Sequence, residues 1–253
     1  MNLKNVVEIA TTIGEMLLSS GAEIYRVEES MSRIAKSYGY EFESFVMPTG
    51  FSATAKNIKG EVITCVKRIK NRTVDLHRIE YLNDLSRRIE SDKPGYEEVL
   101  KEIEKINNIP YFKYWLRILS SGLVALSFTL LFNGNIIDAI IAFIITCAIY
   151  ITKNSISKLG FFQFLEYFIS GFLAAMLSLI LKNFIYSIHV DKVIIGSIMI
   201  LVPGIAMTNA IKDALYGDII SSFARFGEAL FIAAAVGAGV GFALTLGIGW
   251  VIG

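Results

Sequence analysis

The chain changes its pattern of apolar and polar residues along its length. Apolar residues recur every three or four positions up to residue 38 and again after residue 74, which predicts amphipathic helices. Residues 40–69 alternate with a period of two, as strands do. The predicted elements are helices 3–18 and 22–38, strands 42–46, 51–55 and 61–68, and helices 74–89 and 96–106. About 110 residues can form their own core, so residues 1–113 are predicted to form an α+β domain with an antiparallel meander.

From residue 114 onwards, long apolar runs dominate the sequence. The candidate membrane spans are residues 116–132, 136–151, 161–181, 193–210 and 226–252. A transmembrane helix needs roughly 17–25 apolar residues, so the second run is short and must include flanking positions. The predicted fold class is an α-helical integral membrane protein, with five transmembrane helices in residues 114–253 and an N-terminal cytoplasmic α+β domain.

The distribution of charge agrees with this division. Residues up to Arg117 hold 18 of the 24 Lys and Arg and 17 of the 23 Asp and Glu residues. If this part is cytoplasmic, the short loops carry a slight excess of basic residues on the inner side, which predicts an inside N-terminus and an outside C-terminus. Residues 1–20 lack the continuous apolar core of a signal peptide. The sequence contains no basic cluster with interleaved aromatic residues, so nucleic-acid binding is not expected.

An odd number of spans predicts a membrane partner. Transporter halves of odd topology pair with a second half that is inserted in the opposite orientation. We therefore expect either another copy of this chain, as a homo-oligomer, or a separate membrane subunit. The two cysteines lie in different halves of the chain, and no Cys/His pattern predicts a metal site or a catalytic centre. No phosphate-binding loop motif occurs, so we expect no cofactor and no direct coupling to ATP.

A broken polar stretch in the fourth span is the first candidate for a transport pathway. Pro203, followed by Gly204, removes the backbone hydrogen bond to Met199, and the freed carbonyl can line a cavity. Thr208 and Asn209 follow within two turns, which favours a polar cavity. A kink without a functional role is the alternative.

Four charged residues then precede the last apolar run: Asp213, Asp218, Arg225 and Glu228. Charges near hydrocarbon are costly and mark substrate or proton pathways. In that interpretation Arg225 binds a substrate carboxylate, and one of the acids binds an ammonium group or the coupling proton. Arg225 and Glu228 can also pair at a spacing of three residues. A solvated cytoplasmic loop is the alternative.

The last span carries small residues at intervals of four. Gly237, Gly241 and Gly249 belong to this row, and Gly239 and Gly247 add a second one. Rows of this kind let helix backbones approach closely. They predict helix packing, either within this chain or against a partner.

Other polar residues are predicted to have ordinary structural roles. Ser20 and Glu23 form a predicted capping box for the second helix, and Glu23 and Arg26 can form an ion pair on it. In the membrane half, Asp138 is predicted to reach water, and Glu166 to meet interfacial water or lysine.

Three separated motifs resemble the threonine/serine exporter family, specifically its N-terminal, five-span half. They are Ser20-Gly21-Ala22-Glu23 with Arg26-Val27-Glu28, then Met47-Pro48-Thr49-Gly50, then Leu201-Val202-Pro203-Gly204 followed by Thr208-Asn209, Asp213, Gly217-Asp218, Arg225 and Glu228-Ala229. The resemblance extends over nearly the whole chain. Lys212 stands where we expect arginine, and Ser221-Ser222 where we expect Ser-Gly. Lysine lacks the bidentate guanidinium.

The resemblance implies an exporter of small polar metabolites in the bacterial inner membrane, driven by the proton gradient. Fused relatives are associated with serine and threonine, and split relatives also with dicarboxylates such as succinate. Because the sequence stops at Gly253, it resembles the split form, which implies a separate small five-span membrane partner. A membrane-anchored hydrolase and a metabolite-sensing subunit without transport activity are the alternatives.

Overall fold

The structure is a computed structural model that describes residues 1–110, 112–158 and 162–251, with side-chain surroundings in the last helix given up to residue 247. The residues group into two compact units. The first unit is Met1–Pro110 with Ile205–Phe226, and the second is Tyr111–Gly204 with Gly227–Gly253. The segment 205–226 therefore groups with the N-terminal residues. The division into domains 1–113 and 114–253 stays a prediction.

The first unit contains the predicted order of two helices, three strands and two helices. Its elements are α1 Leu3–Ser19, α2 Ile24–Ser37, β1 Glu41–Met47, β2 Gly50–Lys56, β3 Val62–Arg68, α3 Leu76–Asp92 and α4 Tyr96–Asn107, followed by α9 Gly204–Leu215. The apolar face of α1 is buried against α2 and α3, where Ile13, Met31 and Leu82 are fully buried. The helical periodicity of the sequence therefore identified the core correctly.

The three strands form one antiparallel sheet in the order β1-β2-β3. Met47 pairs with Gly50, so Pro48 and Thr49 form a two-residue turn. A Cβ atom at Gly50 would overlap with the backbone of Lys67, which explains why glycine stands there. The motif residues Pro48, Thr49 and Gly50 thus shape a hairpin.

The loop between α1 and α2 differs from the predicted capping box. Ser20 is the C-cap of α1, and its N–H donates to the carbonyl of Met16 at 3.0 Å. Gly21 has φ +86°, and a Cβ atom there would lie 2.9 Å from the carbonyl oxygen of Thr73. The N-cap of α2 is Glu23, whose side chain makes no capping hydrogen bond. The prediction was wrong because the backbone of Ser20 still closes the preceding helix.

The second unit consists of apolar helices. They are α5 Tyr114–Leu131, α6 Ile136–Lys158, α7 Gln163–Phe184, α8 Val190–Ile198 with a 3₁₀ turn at Met199–Leu201, and the greater part of α10 Ile219–Val251. Within the described residues, four helices are long and apolar enough to cross a membrane. The number is five if the broken pair Val190–Leu201 and Gly204–Leu215 counts as one span.

Helix α6 is longer than the sequence predicts, with 23 residues. The apolar run ends near Ile151, but the helix continues through a polar segment to Lys158. The hydroxyls of Thr152 and Ser155 donate hydrogen bonds to the carbonyls four residues earlier, at 3.0 and 2.9 Å, and both residues remain helical. The short apolar run of residues 136–151 is therefore extended by flanking positions, as the sequence predicts, because hydropathy marks the apolar part of a helix and not its end.

Close contact between α7 and α10 depends on glycine. A Cβ atom at Gly171 would lie 2.5 Å from the carbonyl oxygen of Val236, and one at Gly239 would overlap with the backbone of Phe168. In contrast, a Cβ atom at Gly237 or Gly241 would meet no described atom within 4 Å. Their predicted packing role stays a prediction about contacts outside this chain. The surroundings of Gly249 lie outside the described residues.

Candidate functional site where residues 205–226 meet helix α2

The break before α9 is a helix end followed by a helix start. The N–H of Val202 donates to the carbonyl of Met199 at 3.3 Å, and α9 begins at Gly204, directly after Pro203. The predicted free carbonyl of Met199 is therefore already bound. Proline is well suited to a helix start, because its missing N–H would have no helical partner there.

Side chains from residues 205–226 bind the backbone of the loop between α1 and α2. The Nδ2 of Asn209 donates to the carbonyl of Gly21 at 2.9 Å, and the Nη2 of Arg225 donates to the carbonyl of Ala22 at 2.7 Å. Both side chains are buried. Two of the sequence motifs, residues 20–28 and residues 208–225, are thus brought together.

A buried ion pair lies at the first turn of α2. Asp213 accepts a hydrogen bond from the N–H of Ile24 at 3.1 Å through Oδ1, and its Oδ2 lies 3.1 Å from the Nε of Arg225. The side chain of Asp213 is fully buried and that of Arg225 is 7% exposed. The positive end of a helix dipole stabilises a carboxylate, so Asp213 provides the N-terminal cap that the residues before α2 do not.

Glu23 is held between two cations beside this pair. Its Oε1 lies 2.8 Å from the Nζ of Lys212, and its Oε2 lies 2.9 Å from the Nε of Arg26. Burial by itself raises the pKa of Glu23, but the hydrogen bond from Lys212 and the charge of Arg26 outweigh it and lower the pKa below its ordinary value. Lysine here needs no bidentate geometry, because each oxygen of Glu23 has its own donor.

Glu28 and Asp218 form the less neutralised part of the cluster. Glu28 accepts a hydrogen bond from the N–H of Val46 at 3.2 Å. Burial and the nearby charge of Asp218 raise the pKa of Glu28, and burial also raises the pKa of Asp218. A cavity of about 290 Å³ lies next to them, between the end of β1 and the turn from α9 to α10. Burial and a neighbouring like charge both favour the protonated form of a carboxyl group.

An aromatic contact that the sequence analysis missed completes the region. The rings of Tyr25 and Tyr216 stack with centroids 3.9 Å apart. Tyr25 lies in the first turn of α2, and Tyr216 follows the last residue of α9. No local sequence signal pairs two tyrosines so far apart in the chain.

The remaining candidate residues lie elsewhere. Thr208 is exposed on α9, and Glu228 is half-buried in the second unit. The predicted pairing of Glu228 with Arg225, and the binding of a substrate carboxylate by Arg225, stay predictions. In the structure, the Nε and Nη2 atoms of Arg225 face Asp213 and Ala22.

The second unit holds a polar cluster that the sequence analysis placed in water. Asp138 is fully buried. It accepts hydrogen bonds from the N–H groups of Asn135 and His189, both at 2.9 Å, and its Oδ2 lies 3.0 Å from the Nδ1 of His189. Asp138 lies in the first turn of α6, and its contacts with Asn135 and His189 hold the carboxylate in a buried position. Glu166, in the first turn of α7, is also buried, with 9% exposure, so its predicted contact with interfacial water is small.

Comparison with known proteins gives a consistent set of similarities. A family described as "Putative threonine/serine exporter" matches residues 8–247. The chain is 29% identical over 252 residues to "Probable succinate transporter subunit YjjP" of Escherichia coli (strain K12), covering 97% of each protein. The protein of the same name from Klebsiella aerogenes is 27% identical over 232 residues, which cover 91% of this chain and 89% of that protein.

A more distant relative is about twice as long. The "Threonine/serine exporter" of Corynebacterium glutamicum is 23% identical over 249 residues, which cover 95% of this chain and 51% of that protein. No solved structure matches the chain.

Proposed function

The chain belongs to the threonine/serine exporter family, and we propose that it is a subunit of a secondary-active exporter of small polar metabolites in the bacterial inner membrane. The observation that carries the proposal is the family match over residues 8–247, which includes both the N-terminal elements and the apolar helices. The cargo is a serine- or threonine-type amino acid, or a dicarboxylate such as succinate, as the names of the relatives indicate. Family membership favours transport over the hydrolase hypothesis.

The proposed exporter needs a second, separate membrane subunit with five spans. Two observations support this. Relatives that match along nearly their whole length are named as subunits, and the longer relative is matched over only 51% of its length. If the broken helix pair is one span, the described part of the chain has five candidate spans, and an odd half can pair with an inverted half. With five spans the termini lie on opposite sides of the membrane, and the N-terminus is proposed to be cytoplasmic because 18 of the 24 Lys and Arg residues lie in the first 117 residues.

The cluster around Asp213 is proposed to couple the N-terminal elements to the transport pathway. Asp213 and Arg225 attach the segment after the Pro203 break to the start of α2, so a change at one is transmitted to the other. Glu28 and Asp218 are proposed to carry the coupling proton, since both have raised pKa values and neither is neutralised by a cation in the described contacts.

The test is metabolite efflux from cells that lack their own exporters. The full chain is produced with and without the candidate partner, and export of threonine, serine and succinate is followed after loading. Arg225→Ala and Asp218→Asn are expected to reduce efflux at least tenfold while the protein still inserts. Arg88→Ala is the matched control, because Arg88 is an exposed residue on α3 that pairs with Glu102. Efflux that needs the partner but survives deletion of this chain would instead support the metabolite-sensing alternative.

A further inference from the structure

The two edges of the three-stranded sheet differ. At the β1 edge, the N–H of Val46 donates to the side chain of Glu28 on α2 at 3.2 Å, so this edge is closed within the chain. Strand β3 pairs with β2 on one side, and its Lys67 pairs with Glu15 of α1 at 2.9 Å. Among the residues that the structure describes, no strand pairs with the other side of β3. The sheet therefore has one closed and one open edge.

The hydrogen bonds at the two ends of β3 show which of its backbone groups lie on the open edge. The N–H of Asn57 donates to the carbonyl of Glu61 at 3.0 Å, and the N–H of Ile69 donates to the carbonyl of Thr49 at 2.9 Å. Backbone groups along an antiparallel strand point alternately to its two sides, so the odd-numbered residues of β3 bond to β2. The even-numbered residues direct their N–H and C=O groups out of the sheet: Val62, Thr64, Val66 and Arg68.

The open edge lacks the features that usually keep edge strands apart. Residues 62–66 read Val-Ile-Thr-Cys-Val, without a charge or a proline. In the full chain, Val62 is 54% and Val66 is 74% exposed. Natural proteins interrupt such an edge with lysine, proline or a bulge, because it otherwise pairs with another strand. Charges stand only at its ends, with Glu61 before the strand and Lys67 and Arg68 at its end.

We propose that β3 pairs with β3 of a second copy of this chain, antiparallel and around a two-fold axis at Cys65. The two sheets then form one continuous sheet. The register follows from pairing the strand over its whole length, because Cys65 is the middle residue of Val62–Arg68. Thr64 of one copy lies opposite Val66 of the other, and both residues direct their backbone groups out of their own sheet. The pairing thus uses the backbone groups that β2 leaves open.

The charges at the strand ends favour this antiparallel arrangement. It brings Glu61 of one copy diagonally next to Lys67 of the other, within reach of long side chains. A parallel arrangement would place Glu61 beside Glu61 and Lys67 beside Lys67, and like charges side by side are destabilising. The strand is therefore complementary to its own reverse. Such a self-complementary surface gives a closed dimer and does not extend into a fibre.

The register makes a geometric prediction at Cys65. The cysteines of the two copies lie opposite each other in a pair that is not hydrogen-bonded, because odd-numbered residues bond to β2. The Cα atoms of such a pair are about 4.5 Å apart, and a disulfide can bridge Cα atoms about 4.4–6.8 Å apart. The thiol of Cys65 is free and half-buried. Oxidation of this thiol is therefore a direct probe of the register.

The experiment is oxidative cross-linking of the full chain in membranes, with copper phenanthroline as the oxidant. Cys147→Ser is the background, so Cys65 is the only cysteine left. We expect a disulfide-linked dimer. Moving the thiol to the central strand, with Ser52→Cys and Cys65→Ser, should reduce the cross-linked fraction at least tenfold. Native mass spectrometry of the unmodified chain should show two copies.

Thr64→Pro tests the edge without breaking the sheet. Proline is tolerated on an edge strand where the replaced N–H points to solvent, and the N–H of Thr64 points out of the sheet. This variant should keep a cooperative thermal transition and lose at least tenfold of the cross-linked dimer. Ile58→Pro is the matched control and should cross-link like the background chain. Ile58 is the second residue of the turn that the Gly60 N–H closes onto Asn57, a position that favours proline.

A second variant does not depend on proline. Val62 of one copy lies opposite Arg68 of the other, so Val62→Glu should increase the cross-linked fraction. Adding Arg68→Glu to Val62→Glu places like charges opposite each other and should reduce that fraction at least tenfold relative to Val62→Glu alone.

Three outcomes would overturn the inference. They are a single copy in native mass spectrometry, equal cross-linking from positions 52 and 65, and an undiminished dimer in Thr64→Pro. The proposed function is tested separately, since efflux is measured in cells and dimerisation by cross-linking and mass. A monomeric chain that still supports efflux would remove this inference alone, whereas a dimer without efflux would leave it in place.

Discussion

The buried pair of Asp213 and Arg225 gives the sharpest prediction. Both side chains are nearly or completely buried, and Asp213 also receives the first N–H of α2. Removing one member of a buried ion pair costs about 3–5 kcal/mol, because the other charge stays buried without compensation. Asp213→Asn keeps an oxygen that can accept the N–H of Ile24, so it tests the charge separately from the cap. We expect it to lower the free energy of unfolding of the first unit by about 3 kcal/mol.

The neighbouring ion pair of Lys212 and Glu23 serves as a comparison for the buried pair of Asp213 and Arg225. Lys212 has 43% of its side chain exposed where it meets Glu23, and a partly exposed pair contributes about 1 kcal/mol or less. Lys212→Met should therefore be about threefold milder in free energy than Asp213→Asn. The reverse order would mean that burial does not control these pairs.

A double-mutant cycle decides whether the two side chains interact as the geometry indicates. Arg225→Met should cost about as much as Asp213→Asn, but the double variant should lose about 2–3 kcal/mol less than the sum of the two. The assay is pulse proteolysis of the full chain in detergent over a urea series. Additivity within about 0.5 kcal/mol would refute the reasoning. Exchanging the two residues should not rescue the protein, because it would place a cation at the start of α2, next to the helix dipole.

Three further predictions concern protonation, packing and the helix break. Glu23 has a lowered pKa, so its stabilising effect is present above the ordinary value near 4.5 and is lost as the pH falls through the folded value. Glu23→Gln should therefore destabilise the first unit at pH 7 by about 1 kcal/mol, and this loss of stability should shrink as the pH falls below 4.5. Glu28 has a raised pKa, so its charged form is disfavoured in the folded state and Glu28→Gln should stabilise the first unit at pH 7. This gain in stability should shrink as the pH falls towards 4.5. Urea titrations at several pH values measure the stability of both glutamine variants. Gly239→Leu should lower the melting temperature, since overpacking costs about 1–3 kcal/mol or more, whereas Gly237→Leu should leave it unchanged and reduce co-purification of the partner. Pro203→Ala should join α8 to α9 and lower efflux at least tenfold in the cellular assay.

Each of these has a clear contrary result. Parallel pH profiles for the two glutamine variants would mean that their surroundings do not differ as described. Equal melting temperatures for both glycine variants would contradict the close contact of α7 and α10. Unchanged efflux after the proline substitution would reduce the break to a kink without functional consequence.

Local elements were predictable because their signals are local. The three-to-four residue period of α1 and the alternation in the strands come from neighbouring residues, and the observed helices and strands agree within a few residues. The errors had local causes as well. The Ser20 capping box was wrong because the backbone of Ser20 still closes α1, whereas the second span takes in flanking polar residues up to Lys158, as predicted.

The sequence by itself determined which residues are chemically unusual in this protein. A proline break and four charged residues beside long apolar runs are visible without coordinates, and so is the separation of the chain into a charged and an apolar part. Local patterns depend only on side chains within a few turns, so they report the elements and the solvent that each element meets.

Only the tertiary structure decided which distant residues meet. Asp213 caps a helix that begins 189 residues earlier, and no periodicity encodes a contact across that separation. It also decided which charges are paired: Arg225 lies beside Asp213, and Lys212 lies beside Glu23. A charge can remain buried only where a partner or helix dipole compensates its lost hydration. The three-dimensional arrangement therefore decides which of the charged residues form structural ion pairs.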